Sequence, residues 1–148
     1  MLQIFPCPDP CRVSSSEVEV EFHIDVDRDA ATFTTSGAAT AEGFRRGIQA
    51  LVDDPRFRAG MPILVDHTAL DVSGLAPNDV RAIGDFTASL GVEIGPSAVA
   101  VVVPNTLAFG FVRMGEMQAN QPGLTVRIFY SRSEAVEWLE SHGSGDGS

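Results

Sequence analysis

The sequence predicts an α/β domain built on a mostly parallel sheet. Three short apolar runs carry that expectation: Met61 to Asp66, Ala98 to Val103 and Leu124 to Tyr130. All three are rich in β-branched residues, are closed by Asp, Pro or Ser, and precede a stretch with helical spacing. Continuous apolar strands of this kind are buried on both faces. A repeated strand-helix unit places helices over a parallel sheet.

Taken in order, residues 1–16 contain Pro, Cys and Ser without a period and are expected to form an N-terminal arm. Glu17 to Asp27 then alternates, with Val18, Val20, Phe22, Ile24 and Val26 on one side and charged residues or His23 on the other. That is a strand with one buried and one solvated face. Asp27-Arg28-Asp29 supplies a turn, and Ala31 to Thr35 is the return strand of an antiparallel hairpin. Thr40 is placed to cap a helix running to about Asp53, whose residues Phe44, Ile48, Leu51 and Val52 form one apolar stripe.

Pro77 occupies the first position of a second helix, with Val80, Ile83, Thr87 and Leu90 inward and Gly91 closing it. Asn105 caps a third, in which Leu107, Phe111 and Met114 form the expected core stripe. Phe109 falls on the opposite side at about 100° per residue. Ser131-Arg132-Ser133-Glu134 is a capping box for a fourth helix, with Ala135, Trp138 and Leu139 on its inner face. The expectation is one domain over residues 17–142, a mixed sheet of about five strands, about four helices, and a disordered Gly/Ser tail at 143–148.

A chain of 148 residues with 44% hydrophobic content can bury a core without disulfides or metal. No apolar stretch approaches the roughly 20 residues that span a bilayer, so no membrane span is expected. The N-terminus has neither a basic region nor a long apolar core and does not read as a signal peptide, so a cytoplasmic location is expected. The net charge of −10 repels phosphate backbones and excludes nucleic acid as an expected partner. Half of that charge lies between Glu17 and Asp29, where six carboxylates face Arg28 alone. Cys7 and Cys11 stand four residues apart around two prolines. A local disulfide and free thiols both fit, and a cytosolic setting favours free thiols.

The chain resembles the small bacterial proteins of the SpoIIAA-like, STAS-type superfamily, in the branch between STAS and CRAL-TRIO lipid-binding domains. The likeness is carried by Gly37 to Glu42 with Asp54-Pro55-Arg56-Phe57, by Pro62 to Asp66, and by Ala100 to Val103 with Phe109 to Met114. It closes on Ile128-Phe129-Tyr130 and Glu134 to Leu139. The resemblance implies a SpoIIAA-like fold and a non-enzymatic regulatory or protein-interaction module. Anti-sigma-factor antagonists of that superfamily carry Asp-Ser-Ser/Thr-Gly-Leu, with the first Ser phosphorylated. Here the corresponding stretch is Asp71-Val72-Ser73-Gly74-Leu75, and Val72 offers no hydroxyl, so the usual phosphorylatable switch is not expected. The likeness to lipid-transfer domains implies the alternative, a carrier or sensor of a small hydrophobic or lipid-like ligand.

Candidate site residues follow from both readings. Asp66, His67 and Thr68 stand at the expected end of a parallel strand, with Ser73 close behind. No nucleophile elbow accompanies them, so the expected roles are Asp66 capping local amides and His67 exposed, not catalysis. His23, His67 and His142 have no paired metal-ligand spacing, and neither a metal nor a cofactor is expected. The third helix is the preferred working surface: Phe109, Phe111 and Met114 supply more apolar surface than one core face requires, and Met117 adds to it. Arg113 on the same helix is placed to meet an anionic group or to pair with Glu116 or Asp85. These residues suit an unknown protein partner, a homodimer contact, or, through Leu107, Phe111 and Met114, the wall of an apolar pocket.

Overall fold

The structure is a computed structural model that describes residues 11–14, 18–118 and 125–143. Residues 1–10 of the expected arm, Cys7 among them, and residues 144–148 of the expected tail lie outside the described residues, as does the side chain of Met117. The order of elements is β1 (Cys11–Ser14), β2 (Val18–Asp25), β3 (Ala30–Ala38), α1 (Ala41–Asp53), β4 (Ile63–Asp71), α2 (Pro77–Ser89) and α3 (Gly91–Ile94). Then follow β5 (Ala98–Val102), α4 (Thr106–Gln118), β6 (Thr125–Phe129) and α5 (Arg132–Gly143).

The strands form a single sheet in chain order, β1-β2-β3-β4-β5-β6. β1, β2 and β3 pair antiparallel, and the pairs from β3 to β6 are parallel. The expected hairpin and parallel units are therefore present. A sixth edge strand is added by Cys11–Ser14, inside the stretch read as an arm. Its four residues carry no repeating pattern long enough to announce a strand, and it exists because β2 offers an edge to pair with.

Helix ends follow local chemistry. Thr40 caps α1, its Oγ1 accepting from the Gly43 amide at 3.0 Å. α2 opens on Pro77, with the Ala76 amide donating to Asp79 Oδ2 at 2.9 Å. α4 is capped by Asn105, whose Oδ1 accepts from the Ala108 amide at 2.9 Å.

Because each parallel crossover steps the same way across the sheet and crossovers share one hand, α1, α2 and α4 must lie on one face. They do, packing against one another in the order α1, α2, α4, while α5 covers β4, β5 and β6 from the other side. Strand alternation sorts the side chains between two cores. Val20, Phe22, Phe33, Ile63, Val101 and Val103 belong to the larger core beneath α1, α2 and α4. Leu64, Ala100 and Val102 meet Ala135 of α5 on the smaller one. Ala100 and Ala135 are both completely buried, and their small side chains let α5 lie close to the sheet. Phe22 and Phe33 stand directly opposite each other across β2 and β3, a pair worth about 0.2–1 kcal/mol beyond alanine.

β4 is longer than the apolar run suggested, continuing past Asp66 to Asp71. Its register against β3 shifts between Thr34, opposite Asp66, and Ser36, opposite Ala69. Two residues of β4, His67 and Thr68, thus face Thr35 alone, which is a bulge. Asp66 closes it, its Oδ1 accepting from the Thr68 amide at 2.9 Å and the Thr68 hydroxyl at 2.7 Å. The extra residue changes parity: Ile63, Val65 and His67 share a face with Leu70 and Val72. Without the bulge those last two apolar residues would turn outward.

Candidate functional site

Among the described residues the strand order never reverses, so they form no switch-point crevice of the kind that seats ligands in doubly wound folds. The principal concave space lies instead between the sheet and the α1, α2, α4 layer and is partly open to solvent. It is a cavity of about 220 Å³. Its floor is Phe33, Ile63, Val65, Val99, Val101 and Val126 from four strands. Its walls are the α1 stripe of Phe44, Ile48, Leu51 and Val52, Val80 and Ile83 of α2, and Phe111 and Val112 of α4. The roof is thinned where α2 meets α4, since Gly84, Ala108 and Gly115 contribute almost no side chain there. A Cβ at Gly115 would sit 3.6 Å from Val80 Cγ1, an ordinary contact with room to spare.

Among the described residues one ionisable side chain lines this apolar space, His67. The bulge and strand alternation aim it at the cavity, where it is half-buried and its ring meets the Phe44 ring edge-on at 5.6 Å. Its Nδ1 lies 2.7 Å from the hydroxyl of Thr35, a residue with no exposed surface. Removal from water pushes the imidazole pKa down to about 4 against a smaller upward pull from Asp66, so the ring is neutral at pH 7. Thr87 is the other polar liner, and its hydroxyl is spent on the Ile83 carbonyl at 2.8 Å.

The residues singled out in the sequence are distributed differently from expectation. His67 is not an exposed strand-end residue but part of the cavity wall. Asp66 points to the opposite face, where Arg132 donates to its Oδ2 at 2.7 Å. Burial tends to raise the Asp66 pKa, but hydrogen bonds from Thr68 and from Arg132 outweigh it and hold the carboxyl below its ordinary value. Ser73 is exposed, and its amide donates to Asp71 Oδ1 at 3.0 Å. Asp66, His67 and Ser73 are thus not assembled into an acid-base-nucleophile set. The Thr35 hydroxyl beside His67 is not among the cavity-lining groups.

On α4 the phase is one residue from the expected stripe. Ala108, Phe111, Val112 and Gly115 face the cavity, Leu107 is 52% exposed, and Met114 is half-buried but does not line the cavity. Phe109 stacks on Tyr130 with ring centroids 5.7 Å apart and planes 13° from parallel, and Arg113 is exposed. Thr35 and the glycines of the roof were missed in the sequence. The alternation of Ala31, Phe33 and Thr35 on one face of β3 was the available signal for Thr35. Among the described residues no three His, Cys, Asp or Glu side chains gather as a metal site would, and no helix is long and apolar enough to cross a membrane.

Comparison with protein-family models gives no match, and comparison with curated protein sequences gives none either. Among solved structures, this chain is similar to an uncharacterized protein of the DUF3478 family, described as having a SpoIIAA-like fold, from Shewanella loihica PV-4. The TM-score is 0.56 at 20% sequence identity, over 86% of this chain and 98% of that one. Strand order, the antiparallel start and the parallel units agree with that likeness, and the chain has a SpoIIAA-like fold.

Proposed function

We propose that the protein is a non-enzymatic, cytoplasmic carrier or sensor that holds one small, largely apolar molecule in the cavity between the sheet and α1, α2 and α4. The cavity itself carries the reading. It offers about 220 Å³ lined almost wholly by apolar side chains, and such a concave apolar space with one convergent polar group is the usual form of a small-molecule site. Interiors close-packed to crystal density do not normally leave such space. A cavity of about 150 Å³ accepts benzene, so this one has room for a second fused ring or a medium-length alkyl chain.

Mass spectrometry of freshly purified protein under native and denaturing conditions is the direct test, joined by titration with naphthalene-sized hydrophobes followed by thermal unfolding. An adduct present only in the native spectrum, or stabilisation that saturates at one ligand per chain, supports the reading. Neither adduct nor stabilisation removes it.

A second reading, an interaction module working through the outer side of α4, draws on a different observation. Tyr130 is 55% exposed and stacks on the half-buried Phe109, with Arg113 exposed on the same helix as Phe109. Light scattering of the wild type and of Phe109→Ser would test self-association there, and a monomer at all concentrations in both would leave that surface without a role in dimerisation.

A further inference from the structure

We propose that the ligand of this cavity is a neutral molecule bearing a hydroxyl group, an alcohol or phenol, whose proton is donated to Nε2 of His67. The inference rests on the apolar-ligand reading above and specifies the ligand's one polar group. It begins with the Thr35 hydroxyl, which has a single proton and two neighbours: the Asp66 carbonyl oxygen at 3.4 Å and His67 Nδ1 at 2.7 Å. The Asp66 carbonyl can only accept, so we assign the hydroxyl proton to it, with the hydroxyl accepting from Nδ1. On that assignment the ring proton sits on Nδ1. Were Thr35 to donate to Nδ1 instead, two oxygen lone pairs would face each other in a fully buried position.

This assignment leaves Nε2 as a bare acceptor. It has no hydrogen-bond partner among the described residues. Nδ1 is taken up by Thr35, which is not a lining residue, while His67 itself lines the cavity, so the geometry points to Nε2 as the ring nitrogen offered to a ligand. An apolar chamber with one unsatisfied acceptor selects for a ligand with one donor, because a buried polar group without a partner is unfavourable. Burial keeps the imidazole neutral, so no charge is present to draw in a carboxylate. A carboxylate would instead set its own lone pairs against that of Nε2.

Four probes of one shape separate the possibilities: 1-naphthol, 1-methylnaphthalene, 1-methoxynaphthalene and 1-naphthoate, each titrated at pH 7 by calorimetry. The expected result is that 1-naphthol binds tighter than 1-methylnaphthalene by about fivefold, the worth of one neutral hydrogen bond, with the ether no better than the hydrocarbon and the carboxylate weakest. In His67→Phe the preference for 1-naphthol should vanish while the hydrocarbon still binds. Equal binding of 1-naphthol and 1-methylnaphthalene by the wild type overturns the hydroxyl assignment and leaves the apolar-ligand reading standing. Preference for the ether or the carboxylate overturns it too, by placing the proton on Nε2 or charge on the ring. Failure of all four to bind removes both readings. The wild-type comparison decides the matter even where His67→Phe does not fold.

Discussion

Asp66 and His67 are consecutive residues of β4 whose side chains leave opposite faces of the sheet. Asp66 fastens α5 through Arg132, and His67 lines the cavity beneath α1, α2 and α4. An Asp-His-Thr string at the edge of a parallel sheet invites a catalytic interpretation. Strand geometry dismantles it, because neighbours on a strand cannot share a face. What remains is one residue for anchoring a helix and one for the cavity, and the two are separable by mutation.

His67 should make the protein acid-labile in a defined window. Its folded-state pKa, about 4, lies below the ordinary 6.5, so between those values the unfolded chain binds the extra proton. Stability is therefore complete above pH 6.5 and falls as pH drops toward 4, by about 3 kcal/mol in all. Urea unfolding of the wild type at pH 7, 5.5 and 4.5 should follow that slope, and His67→Leu should be nearly flat over the same range. Equal slopes for the two proteins would mean that His67 is solvated and ionises freely.

Asp66 acts in a different range and on a different face. Its carboxyl is held below its ordinary value, so its contribution is present above pH 3.8 and is lost only as pH falls through the still lower folded value. Asp66→Ala removes the acceptor for the Thr68 amide, the Thr68 hydroxyl and Arg132, and should destabilise by about 1–3 kcal/mol. Arg132→Ala should cost less than about 1 kcal/mol, since the Arg132 side chain is 53% exposed. Denaturant titrations of both variants check the ranking. Ligand affinity in the cavity should be unchanged in Arg132→Ala, whose side chain lies across the sheet from it.

Much of the architecture was legible because it is written in periodicity. The alternation from Val18 to Ile24, the apolar β5 run and the Thr40 cap each occupy the places their patterns announce. β6 forms where expected but lies at the sheet edge, its Thr125 and Arg127 exposed, and is not buried on both faces. The site was less legible. A single-residue bulge leaves no mark in composition, so β4 read as ending at Asp66 and His67 as exposed. On α4 the nearly continuous apolar run from Leu107 to Val112 gives little phase information, and the stripe was placed one residue away from Ala108, Phe111, Val112 and Gly115. A cavity is space left by small residues on separate elements, Gly84 and Gly115 here, and no local pattern records what two helices fail to fill.

Thr35 should matter as much through His67 as through its own burial. Thr35→Val keeps the shape but leaves His67 Nδ1 without its partner, and the cost should be about 1–3 kcal/mol. The tautomer should change with it. In the wild type, nitrogen chemical shifts of the His67 ring should report a protonated Nδ1 at pH 7. In Thr35→Val the two tautomers should mix. A wild-type spectrum dominated by protonated Nε2 would reverse the hydrogen-bond direction between Thr35 and His67.

The same substitution at two helical glycines should have opposite signs. Gly115 on α4 faces the cavity, and its added Cβ meets Val80 at 3.6 Å, so nothing has to move. Gly115→Ala should then gain most of the helix-propensity difference, about 0.5–1 kcal/mol. Gly47 on α1 sits against β2, and a Cβ there would lie 2.8 Å from Val20 Cγ2. Val20 is wholly buried and β-branched, so it cannot swing aside as a long side chain would. Overpacking of about 1–3 kcal/mol should outweigh the same propensity gain, leaving Gly47→Ala less stable than the wild type. Melting temperatures of the two variants should move apart from the parent in opposite directions. A stabilised Gly47→Ala would mean that α1 stands farther from β2 than the packing of Val20 implies.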